Sequence, residues 1–138
     1  MNRVFSYIFS ILQKIFPFDL KPISRTQDLG RAGELEAERF LKNAGLSIVD
    51  RNVRVGKFEI DLIAKDGDEI IFVEVKTRRS DKWGYPEGSV DYKKQKALKK
   101  AGRYYFLKHC NQKQTYRFDI IAITCEPTIS IEWIKNAF

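Results

Sequence analysis

The segment Ile70-Ile71-Phe72-Val73-Glu74-Val75-Lys76 restricts the architecture more than any other stretch of the chain. Its apolar, largely β-branched composition suits an inner strand of a sheet covered on both faces. Yet Glu74 and Lys76 are embedded in it, where unpaired charge is expensive. A fold that accepts this strand must cover it and give those two charges partners.

The flanking patterns supply that fold. Phe58 to Ala64 and Glu69 to Thr77 alternate with period two, and Asp66-Gly67 between them signals a hairpin turn. Ser47 to Val55 also has strand character. Asp28 to Ala44 is helical in pattern, with Gly30, Gly33, Ala37, Phe40, Leu41 and Ala44 on one face and Gly45 at the expected stop. After a loop at Trp83 to Ser89, a second helix runs from about Val90 to Lys108 with Ala97, Leu98, Ala101 and Tyr105 on its apolar stripe. Strands at Tyr116 to Thr124 and Ile129 to Ile134 close the chain. The order is helix, three-strand antiparallel meander, helix, two further strands, which predicts an α/β class with a mixed central sheet flanked by helices.

At 138 residues the chain has room for one core. The expected division is an N-terminal helix and linker over residues 1–24 and a folded domain over 25–138. Val4 to Phe16 is amphipathic, shorter than the roughly 20 apolar residues a membrane span needs, and no small-residue cleavage site follows it. It suits packing on the domain or on a second copy, or lying in the plane of a membrane surface through residues 4–16. Pro17, Pro22 and the polar stretch from Ser24 to Gln27 read as the linker.

Twenty-five Lys and Arg against 18 Asp and Glu leave a net charge of +7 and a pI near 9.4, a balance that favours a polyanion such as nucleic acid or an anionic membrane. Cys110 and Cys125 form no CxxC pair and fit a reducing cytoplasm. With His109 as the single histidine, a zinc site of several His and Cys ligands is excluded, so any bound metal must be held by carboxylates.

Side-chain alternation places Glu59 and Asp61 on one face of their strand and Glu74 and Lys76 on one face of the next. A two-residue Asp66-Gly67 turn pairs Lys65 with Asp68 and sets Glu59 against Glu74, whereas a four-residue loop sets Asp61 directly opposite Glu74; both keep Asp61 on the face of Glu74 and Lys76. Converging carboxylates repel unless a cation or a lysine neutralises them, and Mg²⁺ or Mn²⁺ prefers such oxygen ligands. A divalent ion there would polarise a phosphodiester and activate water, with Lys76 adding positive charge at the developing phosphorane. The plainer alternative is a surface hairpin with cross-strand ion pairs.

Glu34, at the edge of the first helix's stripe, is a further candidate ligand. Gln95, at the corresponding edge of the second helix, is a candidate to orient water or phosphate. Arg78 and Arg79 follow the Lys76 strand, and Lys93, Lys94, Lys96, Lys99 and Lys100 crowd the second helix, so Arg78, Arg79 and Lys94 are candidate phosphate contacts. Lys94 falls within the stripe and leans toward the cleft. Trp83 and Tyr85 are expected to cap the core or stack on bases.

The motifs Gly30-Arg31-Ala32-Gly33-Glu34, Glu59-Ile60-Asp61-Leu62-Ile63, Phe72-Val73-Glu74-Val75-Lys76-Thr77-Arg78, Lys94-Gln95, Arg117-Phe118-Asp119 and Asn136-Ala137-Phe138 together resemble the YraN family of uncharacterised bacterial proteins over about residues 28–138. The resemblance implies a restriction-endonuclease-like PD-(D/E)xK fold similar to the archaeal Holliday junction resolvases. Glu34, Asp61, Glu74 and Lys76 fall on that site's acids and lysine. The sequence departs from the family at Phe58, where glycine is expected before the glutamate. The expectation is a Mg²⁺-dependent (or Mn²⁺-dependent) endonuclease acting on DNA, including structured or branched DNA, with a homodimer needed for junctions. The competing reading is a non-catalytic nucleic-acid-binding protein retaining the fold.

Overall fold

The computed structural model describes residues 25–80 and 90–138. The expected helix over Val4 to Phe16, the boundary at residue 24, and the loop with Trp83 and Tyr85 lie outside the described residues. Those described form α1 (Arg25–Asn43), β1 (Ser47–Val55), β2 (Phe58–Asp66), β3 (Glu69–Ser80), α2 (Tyr92–His109), β4 (Thr115–Glu126) and β5 (Ser130–Ile134). This is the predicted order, with element ends moved by at most three residues. Among the described residues no helix is long and apolar enough to cross a membrane.

Helix α1 ends where Gly45 takes φ 93°, a left-handed conformation that glycine adopts without a Cβ clash. Gly45 and Leu46 then donate backbone hydrogen bonds to the Lys42 and Leu41 carbonyls, both at 3.0 Å. Ala44, expected on the buried face, lies beyond the helix and is exposed. Helix α2 begins with the Asp91 carboxylate accepting the Lys94 N–H at 2.8 Å, which satisfies one of the helix's orphan donors.

The sheet order is β1-β2-β3-β4-β5. Strands β3 and β4 are parallel, joined by the α2 crossover, and the other neighbours are antiparallel. Alternation along β3 divides the core. Ile70 and Phe72 pack with Leu98, Ala101 and Tyr105 of α2, while Ile71 and Val73 pack with Ala37 and Leu41 of α1. Both faces are therefore covered, as the apolar run in β3 requires, and Glu74 and Lys76 fall by alternation on the α2 side.

The α2 side is closed by an aromatic stack. Phe72 lies 5.2 Å from Phe118 between ring centroids, and Phe118 lies 5.4 Å from Phe138. Gly102 brings the α2 backbone onto it: a Cβ there would lie 2.6 Å from Phe118 and 3.0 Å from Phe72. Gly102→Ala is expected to cost about 1–3 kcal/mol through overpacking. Gly30→Ala, a helical position with nothing within 4 Å of the added atom, should stabilise by up to about 1 kcal/mol through helix propensity. Urea denaturation of the two variants side by side checks this, and equal midpoints would count against the close approach at Gly102.

The C-terminal strand is tied down by a buried acid. Asp119 is fully buried and accepts from the Arg117 guanidinium at 3.0–3.2 Å, from Trp133 Nε1 at 2.8 Å and from the Asn136 backbone N–H at 2.9 Å. Arg117 also pairs with Glu69 across to β3. These contacts account for two of the motifs: Arg117-Phe118-Asp119 is the anchor, and Asn136-Ala137-Phe138 is the segment it holds.

Candidate active site

The site is built where the β2 ladder is interrupted on both sides. Toward β3, the hairpin turn falls at Gly67-Asp68, one residue later than Asp66-Gly67, with φ 57° at Gly67. Pairing consequently runs from Asp66 with Glu69 to Leu62 with Val73. Extending that register by one residue sets Asp61 across from Glu74, the arrangement expected only of a longer loop. The regular ladder stops there, and Asp61 Oδ2 accepts the Val75 N–H at 2.8 Å.

Toward β1, Arg51 pairs with Leu62 and Val53 with Ile60, leaving Asn52 and Asp61 facing each other unpaired. Asn52 has φ 46°, a left-handed value that asparagine tolerates better than β-branched residues. Its side chain donates to Glu34 at 3.0 Å and to Glu59 at 3.4 Å. Asn52 escaped the sequence reading; its signal was a turn-favouring residue in the middle of a strand pattern.

Helix α1 delivers Glu34 by a close approach. A Cβ on Gly33 would lie 1.8 Å from Thr77 Oγ1, so the helix rests on β3 one residue beyond Lys76. From there Glu34 acts on Asp61. The Asp61 carboxyl is pushed up to about 7, first by burial, then by the charge of Glu74, with the Val75 N–H opposing and Glu34 adding to the rise.

Glu74 is only 5% exposed. Its Oε1 receives two ammonium groups, Lys76 Nζ at 3.1 Å and Lys94 Nζ, which reaches in from the first turn of α2. The two lysines respond in opposite directions. Burial, together with the neighbouring Lys94 charge, holds Lys76 below its usual range. Burial also works against the Lys94 charge, but Glu74 outweighs it and the net shift is upward. Gln95 donates to the Val90 carbonyl at 2.9 Å, securing the turn from which Lys94 projects.

Arg78 and Arg79 continue β3 past Lys76. Alternation puts Arg78, half-buried, on the face of Lys76 and the exposed Arg79 on the other. Helix α2 carries Lys93, Lys94, Lys96, Lys99, Lys100, Arg103 and Lys108 and no Asp or Glu. These seven equal the net +7 of the whole chain, and all but Lys94 are exposed.

The structure thus brings Asp61, Glu74, Lys76, Lys94 and Glu34 together, but not as a finished cage. Among the described residues no group of three or more His, Cys, Asp or Glu side chains could hold a metal as it stands. The donor set nonetheless suits a hard divalent cation: hard oxygen donors, one nearly buried and one charged at a cost, now neutralised by ammonium groups.

Residues 33–123 match Uncharacterised protein family UPF0102, which is the YraN family of the resemblance. A UPF0102 protein of Caldicellulosiruptor saccharolyticus is 42% identical over 115 residues, covering 81% of this chain and 98% of its own. One from Thermodesulfovibrio yellowstonii is 46% identical over 111 residues, covering 80% and 96%. Among solved structures, Pyrococcus furiosus SfsA in complex with Ca²⁺ aligns at 19% identity and a TM-score of 0.35, over 80% of this chain and 63% of that one.

Proposed function

This chain belongs to the uncharacterised protein family UPF0102, and from that premise we propose that it is a divalent-metal-dependent nuclease hydrolysing phosphodiester bonds in DNA. The observation that carries the reading is the juxtaposition of Asp61 and Glu74 at the ladder's end, with Lys76 on the face of Glu74. An acid pushed up to about 7 by burial and a second acid is a destabilising arrangement. Such arrangements cluster at sites that have chemistry to do.

Asp61 and Glu74 would hold Mg²⁺ or Mn²⁺, with Glu34 reaching it directly or through water. The ion, when bound, supplies Lewis acidity toward a phosphate oxygen and a water of lowered pKa. Lys76 stands on the same strand, two residues from Glu74, and places a positive charge beside the attacking water and the developing phosphorane. Gln95, donating to the Val90 carbonyl, steadies the start of α2 from which Lys94 projects. Arg78, Lys94 and the exposed cations of α2 track the backbone of the substrate, whose charge answers a helix with seven cations and no acid. Cutting both strands of a branched junction takes two such sites and therefore two copies of the chain.

Isothermal titration of Mg²⁺ and Mn²⁺ into wild type and Asp61→Asn, followed by cleavage of linear, nicked and four-way DNA, tests the proposal. Metal binding and metal-dependent cleavage in wild type, both lost in Asp61→Asn, is the expected result. No metal binding in wild type even with DNA present would overturn it, and DNA binding without cleavage would then establish the non-catalytic binding protein.

A further inference from the structure

Resting on the metal-dependent reading above, we propose that Lys94 holds the cation's place at Glu74 and is exchanged onto a substrate phosphate when the ion binds. The two ammonium groups on Glu74 Oε1 are not equivalent. Lys76 belongs to the same strand, and its side chain is 26% exposed, whereas that of Lys94 is 42% exposed and arrives from the neighbouring helix. Glu74 cannot leave its position, because it is nearly buried within the β3 strand. Lys94 can, because its flexible four-carbon stem starts from a helix turn whose other lysines already face solvent.

Charge decides what must move. With Asp61 ionised, the three carboxylates of Asp61, Glu74 and Glu34 face the two ammonium groups of Lys76 and Lys94. A divalent ion entering this half-buried site with every side chain in place leaves one uncompensated positive charge, which release of Lys94 removes. Release of Lys94 takes one of the two ammonium groups off Glu74 Oε1 and leaves Lys76 there, so the carboxylate is less neutralised toward the ion, and the freed ammonium meets the incoming phosphate. The backbone stays in place, because Asp91 caps the Lys94 N–H and Gln95 holds Val90. Lys94 therefore links loading of the ion to capture of substrate: each favours the position of Lys94 that the other requires.

The test is titration of Mn²⁺ into wild type, Lys94→Met and Lys94→Arg, with circular dichroism melts as the folding control. Lys94→Met keeps an apolar stem and removes the competing charge, so it is expected to bind Mn²⁺ about tenfold tighter than wild type. The same variant, with Ca²⁺ in place of Mn²⁺, should hold duplex DNA more weakly, with the salt slope reduced by about one. Mn²⁺ binding to Lys94→Met at or below the wild-type affinity would overturn the proposal. If Lys94→Met does not fold, Lys94→Arg decides: its two-pronged grip on Glu74 should weaken Mn²⁺ binding, and unchanged or tighter binding would overturn the proposal. The two readings fail differently. Equal Mn²⁺ binding by wild type and Lys94→Met sinks the role of Lys94 alone, whereas no Mn²⁺ binding by any of the proteins sinks the metal-dependent reading beneath it.

Discussion

Asp119→Ala should lower the stability of the domain by about 3–5 kcal/mol, the scale seen when one partner of a buried ion pair is removed. The wild-type carboxylate, fully buried, accepts from Arg117, Trp133 and the Asn136 backbone. Alanine leaves the Arg117 guanidinium, whose side chain is 16% exposed, with Glu69 alone, and it removes the acceptor of the Trp133 and Asn136 N–H groups. It also unfastens the C-terminal segment that places Phe138 on Phe118, so the loss should spread into the α2-side core. Asp119→Asn, which keeps an acceptor but no charge, should fall between alanine and wild type. Urea midpoints at neutral pH measure the series. A loss below about 1 kcal/mol for alanine, the scale of one ordinary hydrogen bond, would mean that the network is not a tether.

Asp61→Asn should act in the opposite direction, and its effect should depend on pH. The Asp61 carboxyl is raised to about 7 in the folded protein from 3.8. Between those values the folded state holds a proton that the unfolded state has lost. The contribution of Asp61 to stability is therefore fully present below pH 3.8 and is lost as pH rises through about 7. Asparagine does not titrate in this range, and its side-chain oxygen can still accept the Val75 N–H. The variant should match wild type most closely near pH 4 and be the more stable protein at pH 8, by at most about 4 kcal/mol given ~1.4 kcal/mol per pKa unit.

Urea midpoints at pH 5 and pH 8 would show this. A difference between the two proteins that does not change with pH would contradict the burial-driven rise at Asp61. On the metal-dependent reading proposed above, addition of Mg²⁺ at pH 8 should narrow the gap, because the ion would stabilise only the wild-type carboxylate. Greater stability at the expense of the proposed metal binding would be the trade-off expected of a residue kept for chemistry.

Some of the site was legible locally. The alternation of β2 and β3 put Asp61 on the face of Glu74 and Lys76, and the apolar run of β3 showed that these charges would be covered. Lys94 stood out as the lysine inside a helical stripe. Asn52 and Asp119 were not identified as site or anchor residues, although each carried a weak signal: a turn-favouring residue in mid-strand, and an acid in an apolar strand. Neither signal names a partner. The partners of Asp119 at Trp133 and Asn136 lie 14 and 17 residues away. Likewise Glu38, pulled down to about 2 first by its hydrogen bonds from Arg51, meets a partner 13 residues away at 2.5–2.6 Å.

By itself, then, the sequence determined the element order, the α/β class and the face on which the catalytic candidates lie, because strand and helix periods are properties of consecutive residues and need no knowledge of the rest of the chain. Tertiary structure alone decided that the turn sits at Gly67-Asp68, that Asp61 faces Glu74 directly, and that Lys94 closes on Glu74. Those outcomes depend on a one-residue choice of register and on the approach of separate elements to within hydrogen-bond distance. Local propensity is nearly indifferent to both, and packing around the covered sheet makes the choice.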